Sequence, residues 1–376
     1  MEADLGELSP RQRVLEAIRL EEPDRVPLFF TITPQVAARL SAQLGIADYT
    51  LADSPLSQNR ISYHQLLLPP GNDVVGIGAC SPRGSPTREL EAGLVTNEWQ
   101  VKYRTTGYYS EMVGHPLAEA ESLAEVEGFA FPDPHAPGRF DLAREVVERY
   151  GERYAICGDM ECTVFEASWY LTGFEKFLVD LSLEKDYVFA LLDRVMQYSI
   201  EVGKELLKLG ADFLWLGDDL GTQQGLLLSP AMWRKHLKER MRTVIRTLKA
   251  ASPRVKIAYH SCGSYYALIP ELLEIGVDIL NALQPTARDM DLARLKRQFG
   301  DRAAFFGGLD TQGILPFGSP GEIEEEIRRV IRSAAAGGGL ILAGAHNIQP
   351  DVSVEKLMRI FETCQRLGTY PAAGRS

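Results

Sequence analysis

Cysteine is scarce in this chain of 376 residues, and its few cysteines do not suggest pairs. Five are scattered along the sequence, an odd number that is unlike a disulfide framework and suits a reducing compartment. Long apolar runs are missing too, since no window of about 18 apolar residues exists to form a transmembrane helix. The first residues also lack the basic-then-apolar layout of a signal peptide. We therefore expect a cytoplasmic globular protein without a membrane partner.

Positive charge is in deficit as well. There are 40 lysines and arginines against 51 aspartates and glutamates, which gives a net charge of −11. Proteins that bind nucleic acid along its phosphate backbone need clustered positive charge, so this balance argues against such a partner. With 45% hydrophobic residues, the chain can bury a large core. A small molecule is the expected partner of such a protein.

Short apolar runs alternate with helical patterns through most of the chain, as expected for a parallel sheet covered on both faces. The predicted strands are Val26–Phe30, Asp73–Gly78, Tyr154–Asp159, Phe213–Asp218, Val255–His260, Asp278–Leu283, Ala303–Gly308 and Leu340–Ala345. The clearest predicted helices are Lys185–Leu209, Pro230–Ala251, Tyr265–Ile275, Pro320–Ala336 and Val354–Leu367.

This alternation predicts an α/β fold, a closed (β/α)₈ TIM barrel forming one domain over residues 1–376. An open doubly wound sheet is the alternative, but no glycine fingerprint for dinucleotides follows the first strand. Ser9-Pro10 followed by Arg11–Leu20 predicts a helix before the barrel. The alternating stretch Thr96–Thr106 predicts an inserted hairpin strand.

Polar side chains recur where the predicted strands end. In a TIM barrel the loops at the carboxyl ends of the strands carry the chemistry, so we expect these side chains to gather at one end. The candidates, in chain order, are Glu161, Asp218, Asp219, Gln223, His260, Cys262, Gln284, Asp310, His346 and Asn347.

The segment Tyr259-His260-Ser261-Cys262-Gly263 is the most informative of these strand ends. Strand residues two apart point to the same side, so His260 and Cys262 should project together. An imidazole beside a thiol can bind zinc, or it can be an activated cysteine. A zinc site needs a third ligand, for which His346 lies across the barrel and Glu161 or Asp219 are alternatives.

Structural roles compete with these functional ones. The His-x-Cys pair could be a packing feature. One of Asp218 and Asp219 could cap the following turn, because adjacent strand residues face opposite ways. His346 and Asn347 could only close the last loop onto its helix.

Several motifs together resemble the uroporphyrinogen decarboxylase superfamily over nearly the whole chain, and most closely its corrinoid-dependent methyltransferase-like branch. The motifs are Arg11-Gln12-Arg13-Val14, Pro23-Asp24-Arg25-Val26-Pro27, Gly217-Asp218-Asp219-Leu220-Gly221, His260-Ser261-Cys262-Gly263, Gly276-Val277-Asp278-Ile279-Leu280-Asn281, Gly307-Gly308-Leu309-Asp310-Thr311 and His346-Asn347-Ile348-Gln349.

The resemblance implies a zinc site. Methylcobamide:thiol methyltransferases of the superfamily bind zinc with a His-x-Cys pair and a later cysteine. The pair matches His260 and Cys262, and the later cysteine matches His346, which is a departure from the thiol-transferring pattern. An imidazole in place of a thiolate raises the net charge of the site and makes the metal a stronger Lewis acid.

The decarboxylase proper is matched less well. Its arginine-rich clamp for propionates is missing from Leu28–Pro34, and the aspartate that contacts the pyrroles is missing from Ile77–Pro82. A substrate with many carboxylates would bind poorly without cationic partners. Uroporphyrinogen decarboxylation itself is therefore not expected.

The resemblance implies a zinc-dependent methyltransferase acting on a small methylated substrate, a methoxy compound or a thiol, with a corrinoid supplied by a carrier protein. Asp218 or Asp219 would orient the substrate or manage a proton. The expected substrate-binding residues are Glu161, Gln223, Gln284, Asp310 and Asn347. A decarboxylase of a smaller acid and a non-catalytic barrel that binds a corrinoid or tetrapyrrole are the alternatives. Decarboxylase relatives form dimers, which implies a possible homodimer.

Overall fold

Seven parallel strands form the central sheet of the computed structural model, which describes residues 7–54, 56–106 and 109–370. The sheet is curled in the manner of a TIM barrel, and its strand order is β1-β6-β7-β10-β11-β12-β13. Its strands are β1 (Val74–Gly78), β6 (Ala155–Glu161), β7 (Phe213–Gly217), β10 (Lys256–His260), β11 (Ile279–Leu283), β12 (Ala304–Leu309) and β13 (Leu340–Gly344). Seven of the predicted strands are thereby confirmed, with boundaries that shift by one or two residues.

The helices that follow the central strands cover the outer face of the sheet. The first eight are α1 (Pro10–Ile18), α2 (Pro34–Leu44), α3 (His64–Leu67), α4 (Leu123–Gly128), α5 (Asp141–Tyr150), α6 (Phe165–Thr172), α7 (Phe174–Ser182) and α8 (Asp186–Leu209). The others are α9 (Pro230–His236), α10 (Lys238–Ala251), α11 (Ile269–Glu274), α12 (Leu292–Phe299), α13 (Ile314–Phe317), α14 (Pro320–Ala334) and α15 (Val354–Leu367), with a 3₁₀ turn at Tyr266–Leu268. None of the helices in the described ranges is long and apolar enough to cross a membrane.

The predicted first strand, Val26–Phe30, is wrong as a regular strand. This segment lies between β13 and the residues before β1, and it makes only an isolated parallel bridge from Leu28 to Leu342. On its other side one backbone hydrogen bond runs from Asp73 N to Leu28 O (2.8 Å). Side chains take the neighbouring positions, because Leu28 N donates to Asp73 Oδ2 and Phe30 N donates to Asn72 Oδ1. The segment therefore fills the gap between β1 and β13 without forming a regular strand of the sheet.

Two ion-pair clusters tie this segment and α1 to the amino-terminal end of the sheet. Asp73 is fully buried and accepts from the guanidinium groups of Arg13 (2.6 Å) and Arg25 (2.8 Å). Arg11 similarly pairs with Asp212 at 2.8 Å. The arginines of the opening motif thus hold the fold together at the end of the sheet opposite the strand carboxyl ends.

The inserted segment is larger than the predicted hairpin strand. It forms a four-stranded antiparallel sheet of β2 (Arg88–Glu91), β3 (Leu94–Thr96), β4 (Lys102–Thr106) and β5 (Tyr109–Gly114). The predicted run Thr96–Thr106 is split by a turn, in which Gln100 N donates to Asn97 O and Val101 N donates to Asn97 Oδ1. A second small pair, β8 (Gly221–Thr222) and β9 (Gly225–Leu226), follows β7.

Side chains alternate between two hydrophobic layers along each central strand. Phe213 and Trp215 of β7 face the inside of the sheet, whereas Leu214 and Leu216 pack against the helices. Val14 and Ile18 of α1 join the inner layer. This alternation, set by the two-residue period of a strand, decides which side chains at the strand ends face the enclosed space.

Candidate metal centre

Four neighbouring strands place one row of residues across the carboxyl end of the sheet. Glu161 pairs in register with Gly217, Gly217 with His260, and His260 with Asn281. A Cβ atom on Gly217 would lie 2.6 Å from the Cβ atom of His260, so glycine leaves the space that the imidazole occupies. The row therefore depends on the strand register and on glycine at position 217, which has no side chain to occupy this space.

The imidazole of His260 is buried and its orientation is fixed by Asn281. Nδ1 of His260 lies 2.6 Å from Oδ1 of Asn281, whose Nδ2 donates to Phe306 O at 2.9 Å. An amide oxygen only accepts, so Nδ1 must carry the proton. In the neutral ring Nε2 then keeps its lone pair, which is the form that binds a metal.

Three potential ligands surround Nε2 of His260. Sγ of Cys262 and Oδ1 of Asp219 each lie 3.5 Å from it, and Oε1 of Glu161 lies 3.4 Å away. Asp219, His260 and Cys262 form a group in which one ligand atom of each lies within 4.8 Å of the others. We call these three residues the metal-ligand cluster. The predicted proximity of His260 and Cys262 is therefore present in the structure.

Asp219 and Cys262 are also linked directly, since the backbone N of Cys262 donates to Oδ1 of Asp219 at 2.7 Å. Burial and the carboxylates of Asp219 and Glu161 raise the pKa of the Cys262 thiol. An activated cysteine needs a lowered pKa and a cationic neighbour, so this environment does not suit a free nucleophile. It suits a thiolate that forms when a metal ion binds.

His346 lies next to the metal-ligand cluster but outside it. Its ring centroid is 6.3 Å from that of His260. Two imidazoles on one tetrahedral zinc would have centroids about 5 Å apart, so His346 is about 1 Å too distant. His346 is exposed at the mouth. Desolvation by the surrounding protein and the nearby imidazole of His260 both disfavour the charged ring and lower the pKa of His346 to about 4. The imidazole is therefore neutral near pH 7.

The two adjacent aspartates face different ways. Oδ1 of Asp218 accepts from the backbone N atoms of Val164 (3.1 Å) and Glu166 (2.9 Å), at the start of α6. Burial raises the pKa of Asp218 to about 7. Asp218 thus contacts the N-terminus of a helix, and Asp219 contacts the metal-ligand cluster.

The predicted substrate-binding residues lie further out at the mouth. Oε1 of Gln284 accepts from Gln223 Nε2 (2.9 Å) and from Gly263 N (3.0 Å). Oδ1 of Asn347 accepts from Thr31 Oγ1 at 2.5 Å. The carboxylate of Asp310 accepts backbone hydrogen bonds at the start of α13, including one from Gln312 N at 2.8 Å. Of this set, only Glu161 reaches the metal-ligand cluster.

Sequence reasoning missed Arg60, which enters the site from the segment between α2 and α3. Its guanidinium pairs with both Asp159 and Glu161 and lies 5.3 Å from the ring centroid of Trp215. Arg60 belongs to no regular element, so neither periodicity nor strand ends could indicate it. The positive charge of Arg60 offsets the negative charges of Asp159 and Glu161 at this end of the sheet.

Aromatic rings form the floor beneath His260. Phe29, Trp215 and Phe306 contact one another with centroids 4.9–5.9 Å apart, and the Trp215 centroid lies 6.0 Å from that of His260. The alternation of β7 and β12 could have indicated the inward rings, but not their contact with Phe29, which depends on the irregular first segment. With His260 and His346 these rings line a narrow inner cleft.

Asn281→Ala is expected to weaken metal binding by about 10–100-fold, the usual cost of losing a partner that orients a metal-binding histidine. The imidazole would lose the acceptor that fixes its tautomer. Zinc affinity measured by competition with a chromogenic chelator checks this. The matched control is Asn59→Ala, an amide adjacent to Arg60 that does not contact His260. Unchanged zinc affinity in Asn281→Ala would contradict the assigned orientation.

Comparison with known proteins places these residues in a wider context. Residues 101–367 match the protein family described as uroporphyrinogen decarboxylase (URO-D). A methyltransferase from Methanosarcina mazei has a similar structure, with a TM-score of 0.71 and 19% sequence identity, covering 96% of this chain and 99% of that chain. An endo-β-1,4-xylanase from Gloeophyllum trabeum is more distant, with a TM-score of 0.41 and 9% identity over 62% of this chain and 82% of that chain. No match was found among the curated proteins.

Proposed function

Because the chain belongs to the uroporphyrinogen decarboxylase family, we propose that it is a zinc-dependent methyltransferase acting between a small methylated substrate and a corrinoid carried by a partner protein. The family membership inferred from the motifs is confirmed. The likeness in fold to a methyltransferase over nearly the full length of both chains is consistent with this activity. We also propose that residues 1–376 form one domain, in which Val26–Ile32 takes the position of the eighth strand and closes the barrel.

The observation that carries the proposal is the direction of the His260 lone pair. Asn281 holds the proton on Nδ1, so Nε2 points its lone pair towards Sγ of Cys262 and Oδ1 of Asp219, each 3.5 Å away. Ligand atoms about 2.0–2.3 Å from a tetrahedral zinc ion are about 3.5 Å from each other. The donor types and their spacing therefore both fit zinc.

The geometry favours Asp219, rather than His346, as the third ligand. Oδ1 of Asp219 already lies beside both other donors, whereas His346 is displaced towards the mouth. Three protein ligands leave one tetrahedral position for a substrate atom, as catalytic zinc requires. Bound zinc would supply Lewis acidity that polarises the heteroatom carrying the methyl group.

The chain's own residues would then position the substrate. The rings of Phe29, Trp215 and Phe306 exclude water beneath His260 and offer an apolar floor to a methyl group. Arg60 holds Glu161 next to the cluster by ion pairing. The neutral imidazole of His346, open to the mouth, is available to hydrogen-bond the substrate or to move a proton.

Purified wild-type protein is expected to bind about one zinc ion per chain, since a complete set of three ligands is in place. Elemental analysis before and after dialysis against a chelator and re-addition of zinc measures this. Methyl transfer is followed by the visible spectrum of methylcobalamin with a small thiol, or of cob(I)alamin with methoxy compounds. Activity should disappear with the metal and return with zinc.

Two outcomes would overturn the proposal. One is protein that stays free of metal after zinc addition. The other is metal-free protein that releases carbon dioxide from a small carboxylic acid, which would support the decarboxylase alternative.

A further inference from the structure

A polar pocket opens beside the inner cleft, at the carboxyl ends of β11, β12 and β13. It is open to solvent, has a volume of ≈ 190 Å³, and shares Ala345, His346 and Asn347 with the inner cleft. We call it the carboxamide pocket, after four of its lining residues: Gln284, Gln312, Asn347 and Gln349.

Hydrogen bonding within the protein leaves this pocket rich in donors. The side-chain oxygen of Gln284 accepts from Gly263 N, and that of Asn347 accepts from Thr31 Oγ1. The single hydroxyl proton of Thr286 is shared between the side-chain oxygens of Gln312 (3.1 Å) and Gln223 (3.2 Å). The amide nitrogens of Gln284, Gln312 and Asn347 have no hydrogen-bond partner among the residues that the structure describes. Amide nitrogens only donate, so the pocket offers hydrogen bonds to a carbonyl oxygen.

The charge lining the pocket also disfavours an acidic ligand. The one carboxylate in its lining, Asp310, accepts from the backbone N atoms of Gln312, Gly313 and Ile314. Within the described part of the chain no lysine or arginine lines the pocket, and the carboxylates of Glu161 and Asp219 lie next to His260. A ligand carboxylate would find donors but no cation, so a neutral carbonyl group is favoured over an acid.

We propose that the carboxamide pocket receives an amide side arm of the corrin ring. This inference rests on the proposed function. A corrin ring carries acetamide and propionamide arms around its edge, and an arm offers both a carbonyl acceptor and an N–H donor. The carbonyl oxygen accepts from the amide nitrogens, and the N–H group donates to the hydroxyl of Thr286 or the side-chain oxygen of Gln349. Because His346 lines both spaces, an arm held here places the ring at the mouth of the inner cleft.

The test measures binding of free methylcobalamin through quenching of tryptophan fluorescence. The variants Gln312→Glu and Asn347→Asp keep the side-chain shape but replace an amide donor with a carboxylate. Each is expected to weaken binding by about 10-fold or more, because a donor is lost and a charge must be desolvated. The control Gln43→Glu adds the same charge at an exposed position near the end of α2 and should bind within about 2-fold of wild type.

A second probe tests the ligand instead of the protein. Methylcobalamin hydrolysed to a carboxylic acid at a propionamide arm should bind more weakly to wild type than the intact molecule does. Equal binding of both probes, wild-type affinity in the two pocket variants, or no binding by wild type would each overturn the inference. Zinc content is measured on the same samples, because wild-type protein that holds no zinc speaks against the proposed function, whereas zinc-containing wild-type protein that does not bind methylcobalamin speaks only against the pocket.

Discussion

His260→Ala is expected to remove bound zinc and to reduce methyl transfer to the background rate. His260 supplies the central donor of the metal-ligand cluster, with Cys262 and Asp219 each 3.5 Å from its Nε2 atom. Without it the two remaining donors leave zinc with an incomplete ligand set. Zinc per chain, by elemental analysis of dialysed protein, and the methylcobalamin assay measure the two effects.

His236→Ala is the matched control for this change. His236 is also buried, but its ring stacks on Phe189 at a centroid distance of 5.4 Å and it lies outside the metal-ligand cluster. Its removal should leave zinc content unchanged, although it costs some stability. Full zinc content in His260→Ala, with the thermal melting of both variants recorded, would show that the cluster is not the metal site.

The second large effect concerns stability. Asp73→Ala is expected to lower the free energy of unfolding by about 3–5 kcal/mol, the usual result of removing one partner from a buried ion pair. Its carboxylate is fully buried, and its removal leaves the guanidinium groups of Arg13 and Arg25 without this partner. It also takes away the acceptor for Leu28 N, which holds the irregular first segment beside β1. Urea unfolding monitored by tryptophan fluorescence gives the change.

Two further variants make this prediction specific. Asp301→Ala breaks the exposed 3.6 Å pair with Arg302 and should cost less than about 1 kcal/mol. Asp73→Asn keeps a hydrogen-bonding oxygen but loses the charge, so its free energy of unfolding should lie between those of wild type and Asp73→Ala. A loss in Asp73→Ala no larger than that in Asp301→Ala would mean that the buried cluster does not hold the segment in place.

Local patterns predicted the elements best where the signal was complete within a few residues. Val354–Leu367 has the predicted bounds, and α14 begins at Pro320 as predicted. The predicted helix Pro230–Ala251 is interrupted at Leu237, and Tyr265–Ile275 begins with a 3₁₀ turn before Pro270. Pro270 has no backbone N–H to donate, which disfavours a continuous α-helix through the preceding turn.

The first strand shows why a local pattern was insufficient. Val26–Phe30 is apolar enough for a buried strand, but Pro27 lacks a donor. In addition, the N–H groups of Leu28 and Phe30 donate to the side chains of Asp73 and Asn72 and not to a backbone. Which groups lie beside a strand depends on residues far away in the sequence. The apolar pattern alone therefore could not predict whether this segment forms a ladder of backbone hydrogen bonds.

By itself, the sequence predicted that His260 and Cys262 lie together at the end of a strand, because the two-residue period of a strand is a local property. The 3.5 Å between Nε2 and Sγ confirms this proximity, although β10 ends at His260. The sequence also determined the family, through motifs spread along the chain. Only the tertiary structure decided that Asp219 rather than Asp218 joins this pair, that His346 is displaced towards the mouth, and that Arg60 enters from an irregular segment. The physical reason is that strand register and loop packing are set by long-range contacts, which no short stretch of sequence contains.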